Sequence, residues 1–219
     1  LESHKKDASS RLALASLPSN ADILSTATPQ ERERLKMLVR KPTRTLSGVA
    51  VIAAMTSPAR CPHGTCVPCP GGILCSSAQS YTGREPAALR AAQHDYDPYR
   101  QVTARLAQLE EIGHPLDKSE LIIMGGTITA RPIGYQHWFV KRCLQAMNDY
   151  PAIKAPGQKY QYRYQSFADA AYANETASVR NIGTTFETRP DYCGPKETMN
   201  MLLLGATKVE LGVQSTRDD

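Results

Sequence analysis

Three cysteines lie within nine residues in the segment Cys61-Pro-His-Gly-Thr-Cys66-Val-Pro-Cys69-Pro-Gly-Gly72. Thiolates hold the irons of iron-sulfur clusters, and a four-iron cluster with only three protein ligands keeps one iron open to a second molecule. The glycines allow the backbone to turn around a bulky inorganic group, and the prolines fix the rest of the loop. The spacing therefore predicts an iron-sulfur loop held by Cys61, Cys66 and Cys69.

Two other roles for the cysteines stay open at this point. Cys75 could complete a four-thiolate zinc site, although such sites usually take their second ligand pair from a distant segment. Disulfides are disfavoured, because the sequence has no secretory signal or evenly spaced cysteine framework, and Cys143 and Cys193 stand alone. We therefore expect a reducing compartment, the cytoplasm.

Length and composition indicate one ordinary globular unit. The chain has 219 residues, of which 41% are hydrophobic and 21% charged. No apolar run approaches the ~20 residues that cross a bilayer, so we do not expect an integral membrane protein. The net charge is +5, and residues 1–46 carry most of the excess, with nine Lys or Arg against five Asp or Glu.

The basic segment 1–46 is predicted to form a helical arm. Residues 1–27 lack sustained periodicity, which indicates a mobile tail followed by a loosely docked arm. Thr28-Pro-Gln-Glu31 has the pattern of a capping box and predicts a short helix to about Val39. The basic side chains could contact nucleic-acid phosphates, although a charge run is more often a solvated face.

Residues 47–219 predict an α/β domain with a parallel sheet. The apolar runs 48–55 and 121–124 read as strands, as do segment 181–190, with polar residues at its end, and segment 209–215. They alternate with helical patterns near 85–113, 135–148, 166–177 and 194–205. Right-handed crossovers turn such a series into a parallel sheet, open or curved toward a barrel. Trp138 and Cys143 are predicted to be core residues. The segment 150–164 mixes basic and aromatic residues, which is typical of either RNA stacking or a surface insertion.

Longer motifs carry a resemblance to a known family. The cysteine loop after the first strand, Gly125-Gly-Thr127 after the second and Glu187-Thr-Arg-Pro190 on the third resemble a radical S-adenosylmethionine (SAM) enzyme. Five longer strings are more specific: Ser80-Tyr-Thr-Gly-Arg-Glu-Pro86, Tyr96-Asp-Pro-Tyr99, Gly113-His-Pro-Leu-Asp-Lys118, Glu187-Thr-Arg-Pro-Asp-Tyr192 and Val209-Glu-Leu-Gly-Val-Gln-Ser215. Together they closely resemble the catalytic subunit of Elongator, a tRNA wobble-uridine modifying enzyme, in its archaeal or bacterial form.

The resemblance implies a fold and a reaction. Its members join a partial radical SAM (β/α) barrel to an acetyltransferase-like domain, which we expect to be absent here because the chain stops after its fourth strand. They use a [4Fe-4S] cluster, SAM and acetyl-CoA to convert the wobble uridine in the tRNA anticodon loop toward 5-carboxymethyluridine. A homodimer or accessory Elongator-type subunits are the protein partners that it implies, without a membrane.

The resemblance also assigns residues to these ligands. The cluster cysteines are again Cys61, Cys66 and Cys69, the SAM contacts are Gly125, Gly126, Thr127, Glu187 and Gln214, and the acetyl-CoA contact is Lys118. From the charge of the arm we expect tRNA phosphates to meet Lys5, Lys6, Arg11, Arg40 and Lys41. Two other functions remain alternatives: an acetyltransferase or acetyl-CoA hydrolase scaffold with a structural cluster, and a zinc-stabilised RNA-binding module.

Overall fold

The computed structural model describes residues 2–39, 41–152 and 164–213. Its helices are α1 (Glu2–Arg11), α2 (Asn20–Thr26), α3 (Pro29–Arg34), α4 (Pro86–Gln93), α5 (Pro98–Glu111), α6 (Ile133–Asp149), α7 (Phe167–Asn174) and α8 (Pro195–Leu203). Its strands are β1 (Ala50–Met55), β2 (Lys118–Met124), β3 (Arg180–Thr188) and β4 (Lys208–Leu211). Most of the basic and aromatic segment 150–164 lies outside the described residues.

The strands form one parallel sheet in the order β1-β2-β3-β4. Each strand therefore pairs with the strand that precedes it along the chain, which is the simplest order for a βαβ series and the one that a (β/α) barrel uses. In the register Ile52 lies opposite Leu121, and Leu121 lies opposite Thr184. The predicted α/β class with a parallel sheet is confirmed.

The main core lies between one face of the sheet and the helices α5, α6 and α7. Buried sheet residues such as Ile52, Leu121 and Phe186 pack there with Leu106 and Phe139 of the helices. The predicted core positions Cys143 and Trp138 belong to the same cluster, Cys143 fully buried and Trp138 partly buried. The other face lines an open cavity of about 570 Å³ that includes Val51, Ala53, Ile122 and Met124.

Side chains occupy the outer edge of β1. The amide group of Gln101 accepts a hydrogen bond from the Met55 N–H and donates one to the Met55 carbonyl, both at 2.9 Å. Two residues earlier on β1, the Ala53 carbonyl accepts a hydrogen bond from the Arg90 guanidinium at 2.8 Å. The edge of a sheet normally offers such groups to another strand. Here α4 and α5 satisfy them instead.

The arm contains two helices, α1 and α2, within residues 1–27, where the sequence predicts a mobile tail followed by a loosely docked arm. Ser19 and Asp22 form a capping box that opens α2. Leu24 of this helix is buried, and a Cβ on Gly113, at the end of α5, would lie 2.9 Å from its Cδ1. Local periodicity missed these helices because contacts with the rest of the protein stabilise them.

The capping box predicted at Thr28 is confirmed, and a further contact ties the arm to the core. Thr28 and Glu31 bond to each other's backbone N–H at the start of α3. Beyond that helix, the Thr45 hydroxyl lies 2.8 Å from Nδ1 of the buried His114. The arm is therefore attached near the end of α5 at more than one point.

Candidate active site

A cavity of about 220 Å³ lies at the carboxyl ends of the strands. Its lining includes the predicted residues Cys61, Cys66, Cys69, Gly126, Thr127 and Glu187. The chain brings them together because the loops after β1 and β2 and the end of β3 all emerge at the same edge of a parallel sheet. In such sheets this edge is the usual place for ligands.

The cysteine loop is shaped by tight turns and by one position that only glycine can occupy. The Gly64 N–H donates to the Cys61 carbonyl at 3.0 Å, and the Cys69 N–H donates to the Cys66 carbonyl at 2.9 Å. Gly72 has φ +86°, and a Cβ there would lie 1.6 Å from the side-chain oxygen of Gln79. The loop therefore has to keep a glycine at position 72 if it is to pack against Gln79.

Each of the three thiols has polar neighbours of its own. The Cys61 sulfur lies 3.6 Å from the Thr127 hydroxyl, and the Ser80 N–H donates to the Cys69 sulfur at 3.4 Å. The Cys66 sulfur has two nitrogen neighbours, one from His63 and one from Arg189. All three thiols are half-buried, so each is within reach of a ligand in the cavity.

The donor set fits an iron-sulfur cluster, because cluster thiolates bind different irons of one larger group and three thiols line this cavity. Within residues 2–39, 41–152 and 164–213, no group of three His, Cys, Asp or Glu side chains is placed to hold a single metal ion. Cys75 is exposed and does not line the cavity, so the structure does not place it with the other three.

The Gly125-Gly-Thr127 turn follows β2 and forms one wall of the cavity. Gly125 has φ +121°, and a Cβ there would lie 2.3 Å from the Thr56 hydroxyl oxygen. That hydroxyl donates to the Gly125 carbonyl at 3.1 Å, which fixes the turn against the end of β1. Gly126, at φ +68°, packs against Gln79, and Thr127 follows it into the cavity lining.

Glu187, at the end of β3, is held in the cavity by a tyrosine. The Tyr81 hydroxyl donates to Oε2 of Glu187 at 2.6 Å, across 106 positions of sequence. Burial raises the pKa of Glu187, and Glu210, its neighbour on β4, raises it further. Burial and the carboxylate of Glu187 raise the pKa of the Tyr81 hydroxyl. A neutral Tyr81 therefore acts as a hydrogen-bond donor that orients Glu187.

Comparison with known proteins finds similar chains in one family. The chain is 54% identical to the tRNA uridine(34) acetyltransferase of Methanocaldococcus infernus over 202 residues, which are 90% of this chain and 36% of that protein. It is 38% identical over 224 residues to human Elongator complex protein 3, covering 98% of this chain and 39% of the relative. The chain belongs to the Elongator complex protein 3 family. It spans little more than a third of the length of these relatives.

A family model and a solved structure match as well. Residues 1–46 match the model of the ELP3 N-terminal domain. The structure of Methanocaldococcus infernus Elp3 with an N-terminal deletion superposes with a TM-score of 0.56 at 43% identity, and the match covers 78% of this chain and 30% of that one. That solved chain thus shares the fold over most of the length of this chain. In the described ranges, no helix has the length and apolar character to cross a membrane.

Lys118, the predicted acetyl-CoA contact, lies far from the cysteines. It is exposed at the amino-terminal end of β2, beside Asn174 and Arg180 in a surface pocket. The strand that separates it from Gly125 spans roughly 20 Å at ~3.3 Å per residue. An acetyl-CoA contact at Lys118 stays a prediction, and the two sites are not adjacent within this chain.

The predicted tRNA contacts of the arm differ from one another. Lys5 is buried, and its ammonium group donates to the side chain of Asn20, whose amide in turn donates to the Leu38 carbonyl at 3.0 Å. Lys5 therefore supports the packing of the arm. Lys6, Arg11 and Lys41 are exposed, and their phosphate contacts stay predictions. Arg40 and the predicted SAM contact Gln214 lie outside the described residues.

Two residues of the site had no predicted role. Tyr81 stands in the Ser80–Pro86 string and Arg189 in the Glu187–Pro190 string, and both strings carried the family resemblance. Nothing in their spacing indicates a partner, because each contacts a residue more than 100 positions away. Only the fold brings them into the cavity.

Proposed function

We propose that this chain forms the radical SAM part of an enzyme that modifies the wobble uridine of tRNA toward 5-carboxymethyluridine, with acetyl-CoA as co-substrate. The observation that carries the proposal is the meeting of three thiols with Gly126, Thr127 and Glu187 around one cavity at the carboxyl edge of a parallel sheet. The relatives named tRNA uridine(34) acetyltransferase support the choice of substrate.

The residues of the cavity suit the parts that this reaction assigns to them. When bound, a [4Fe-4S] cluster with one open iron would hold SAM and supply the electron that cleaves it to a 5′-deoxyadenosyl radical. The thiolates of Cys61, Cys66 and Cys69 would each bind one iron. Gly126 leaves the backbone accessible to the amino-acid part of SAM, and Glu187, oriented by Tyr81, offers an acceptor for its polar groups.

The remaining parts of the chain fit the same proposal. Helices α5 to α7 cover one face of the sheet and the other face lines an open cavity, as a partial (β/α) barrel would arrange them. The exposed cations of the arm would bind tRNA phosphates, which position a nucleic acid without reading its sequence. A wobble uridine in the anticodon loop is already single-stranded, so its presentation to the cavity costs less than the flipping of a paired base.

Anaerobic reconstitution of the full-length protein with iron and sulfide tests the proposal. We expect visible absorption of an iron-sulfur cluster and reductive cleavage of SAM in the wild type. Replacement of Cys61, Cys66 or Cys69 by Ala should abolish both. Cys75→Ala is the matched control and should retain both.

The two alternative functions predict different results. A zinc-stabilised RNA-binding module would be colourless, would load zinc and would lose the metal in Cys75→Ala. A scaffold with a structural cluster would absorb in the visible range but would not cleave SAM. Either result would overturn the proposed function.

A further inference from the structure

Arg189 connects β3 to the cysteine loop. Its Nη1 donates to the sulfur of Cys66 at 3.0 Å, across 123 positions of sequence. It is the residue that follows β3, two positions after Glu187. The end of the strand thus delivers a guanidinium group directly onto one of the three cavity thiols.

A carboxylate fixes the orientation of this guanidinium. Arg189 binds Asp191 side-on, with Nε 2.8 Å from Oδ1 and Nη2 3.1 Å from Oδ2. Two parallel hydrogen bonds hold an arginine far better than one, and they use the edge of the group that faces away from the thiol. Nη1 is therefore the part of the side chain left to point at Cys66.

The pair presents an oriented dipole to the sulfur. The charge of Asp191 cancels much of the charge of Arg189 at a distance, but the N–H bond of Nη1 keeps its positive end on Cys66. His63 is the other nitrogen neighbour of this sulfur, at 3.1 Å from Nε2, but it lies exposed on the loop itself. Arg189 is the half-buried neighbour that the sheet holds in place.

We propose that Arg189, clamped by Asp191, is a positioning residue that raises the reduction potential of the cluster bound at Cys66. The inference rests on the proposed function, because it requires a cluster on the three cysteines. A reduced cluster carries one more negative charge than an oxidised one, so a hydrogen bond to a ligand sulfur stabilises the reduced form more. Loss of that bond lowers the potential and makes the electron harder to load.

The test is an EPR-monitored redox titration of the reconstituted full-length protein. In Arg189→Gln we expect the ratio of reduced to oxidised cluster to fall at least tenfold at the wild-type midpoint, which is about 59 mV for one electron. Arg189→Lys should lie below wild type as well, because an ammonium group cannot bind Asp191 side-on and reach Cys66 at once. Arg100→Gln is the matched control, since it removes an Arg–Asp pair (2.7 Å, to Asp95) that contacts no thiol.

The possible outcomes separate the two proposals. A wild type that assembles no cluster refutes the proposed function, and the role of Arg189 falls with it. A wild type with a cluster whose potential is unchanged in Arg189→Gln refutes the role of Arg189 alone. If Arg189→Gln holds no cluster, Arg189→Lys decides: a lowered potential supports the proposal, and an unchanged potential or an empty site overturns it.

Discussion

Replacement of Gln101 by Ala should destabilise the protein at the end of β1 that leads into the cysteine loop. Gln101 and Met55 are both fully buried, and the Gln101 amide group satisfies the N–H and the carbonyl of Met55. Its removal leaves two backbone polar groups without a partner in the interior. Each such group costs about 1–3 kcal/mol, so we expect a loss of roughly 2–6 kcal/mol in the free energy of unfolding.

Urea denaturation measures the total cost, and hydrogen exchange at the Met55 amide measures the local one. Gln108→Ala is the matched control, because Gln108 lies exposed on the same helix and should change stability by less than about 0.5 kcal/mol. Equal losses in the two variants, or an unchanged exchange rate at Met55, would refute the argument.

Three other predictions follow from single contacts. Gly72→Ala should destabilise the protein by about 1–3 kcal/mol in urea denaturation, because the new Cβ would overlap the buried Gln79 and residue 72 has a positive φ. Gly134→Ala is the control: this position on α6 faces open space, and the change should stabilise by about 0.5–1 kcal/mol. Glu187→Gln should raise stability above pH 4.5, the ordinary pKa of the carboxyl group. The pKa of Glu187 is raised in the folded state, so the wild type loses stability as the pH rises from 4.5 toward the folded-state pKa, and the Gln variant does not. A gain over wild type that does not grow with pH would contradict this. Lys5→Gln should lower stability by about 1.5–3 kcal/mol, because it removes a buried charged hydrogen bond. Lys6→Gln should leave stability unchanged and reduce the salt dependence of tRNA affinity by roughly one unit of slope. Equal salt slopes for Lys6→Gln and wild type would mean that Lys6 makes no phosphate contact.

The sequence predicted the sheet because strands buried on a face leave a local signal. The apolar runs that contain Ile52 and Leu121 are continuous, and turn residues bound them. The cysteine loop could also be placed in advance, since it follows directly from the first of these runs. Local patterns therefore sufficed for both the scaffold and the three thiols at its edge.

The parts that sequence analysis missed depend on contacts between distant segments. Helix α1 is almost entirely polar, and its one buried residue, Lys5, contacts α2 through Asn20. Tyr81 reaches Glu187 and Arg189 reaches Cys66 only because parallel strands end side by side. Lys118 and Gly125 lie at opposite ends of β2, and their separation follows from the length of that strand.

The order of the strands has a consequence for how the protein is made. Because spatial order equals chain order from β1 to β4, each strand that leaves the ribosome finds its partner already synthesised. Gln101 and Arg90, which precede β2 in the chain, occupy the outer edge of β1, so no further strand can pair there in the folded protein. The sheet grows in one direction, and the cysteine loop is complete while most of the cavity wall is still to be translated.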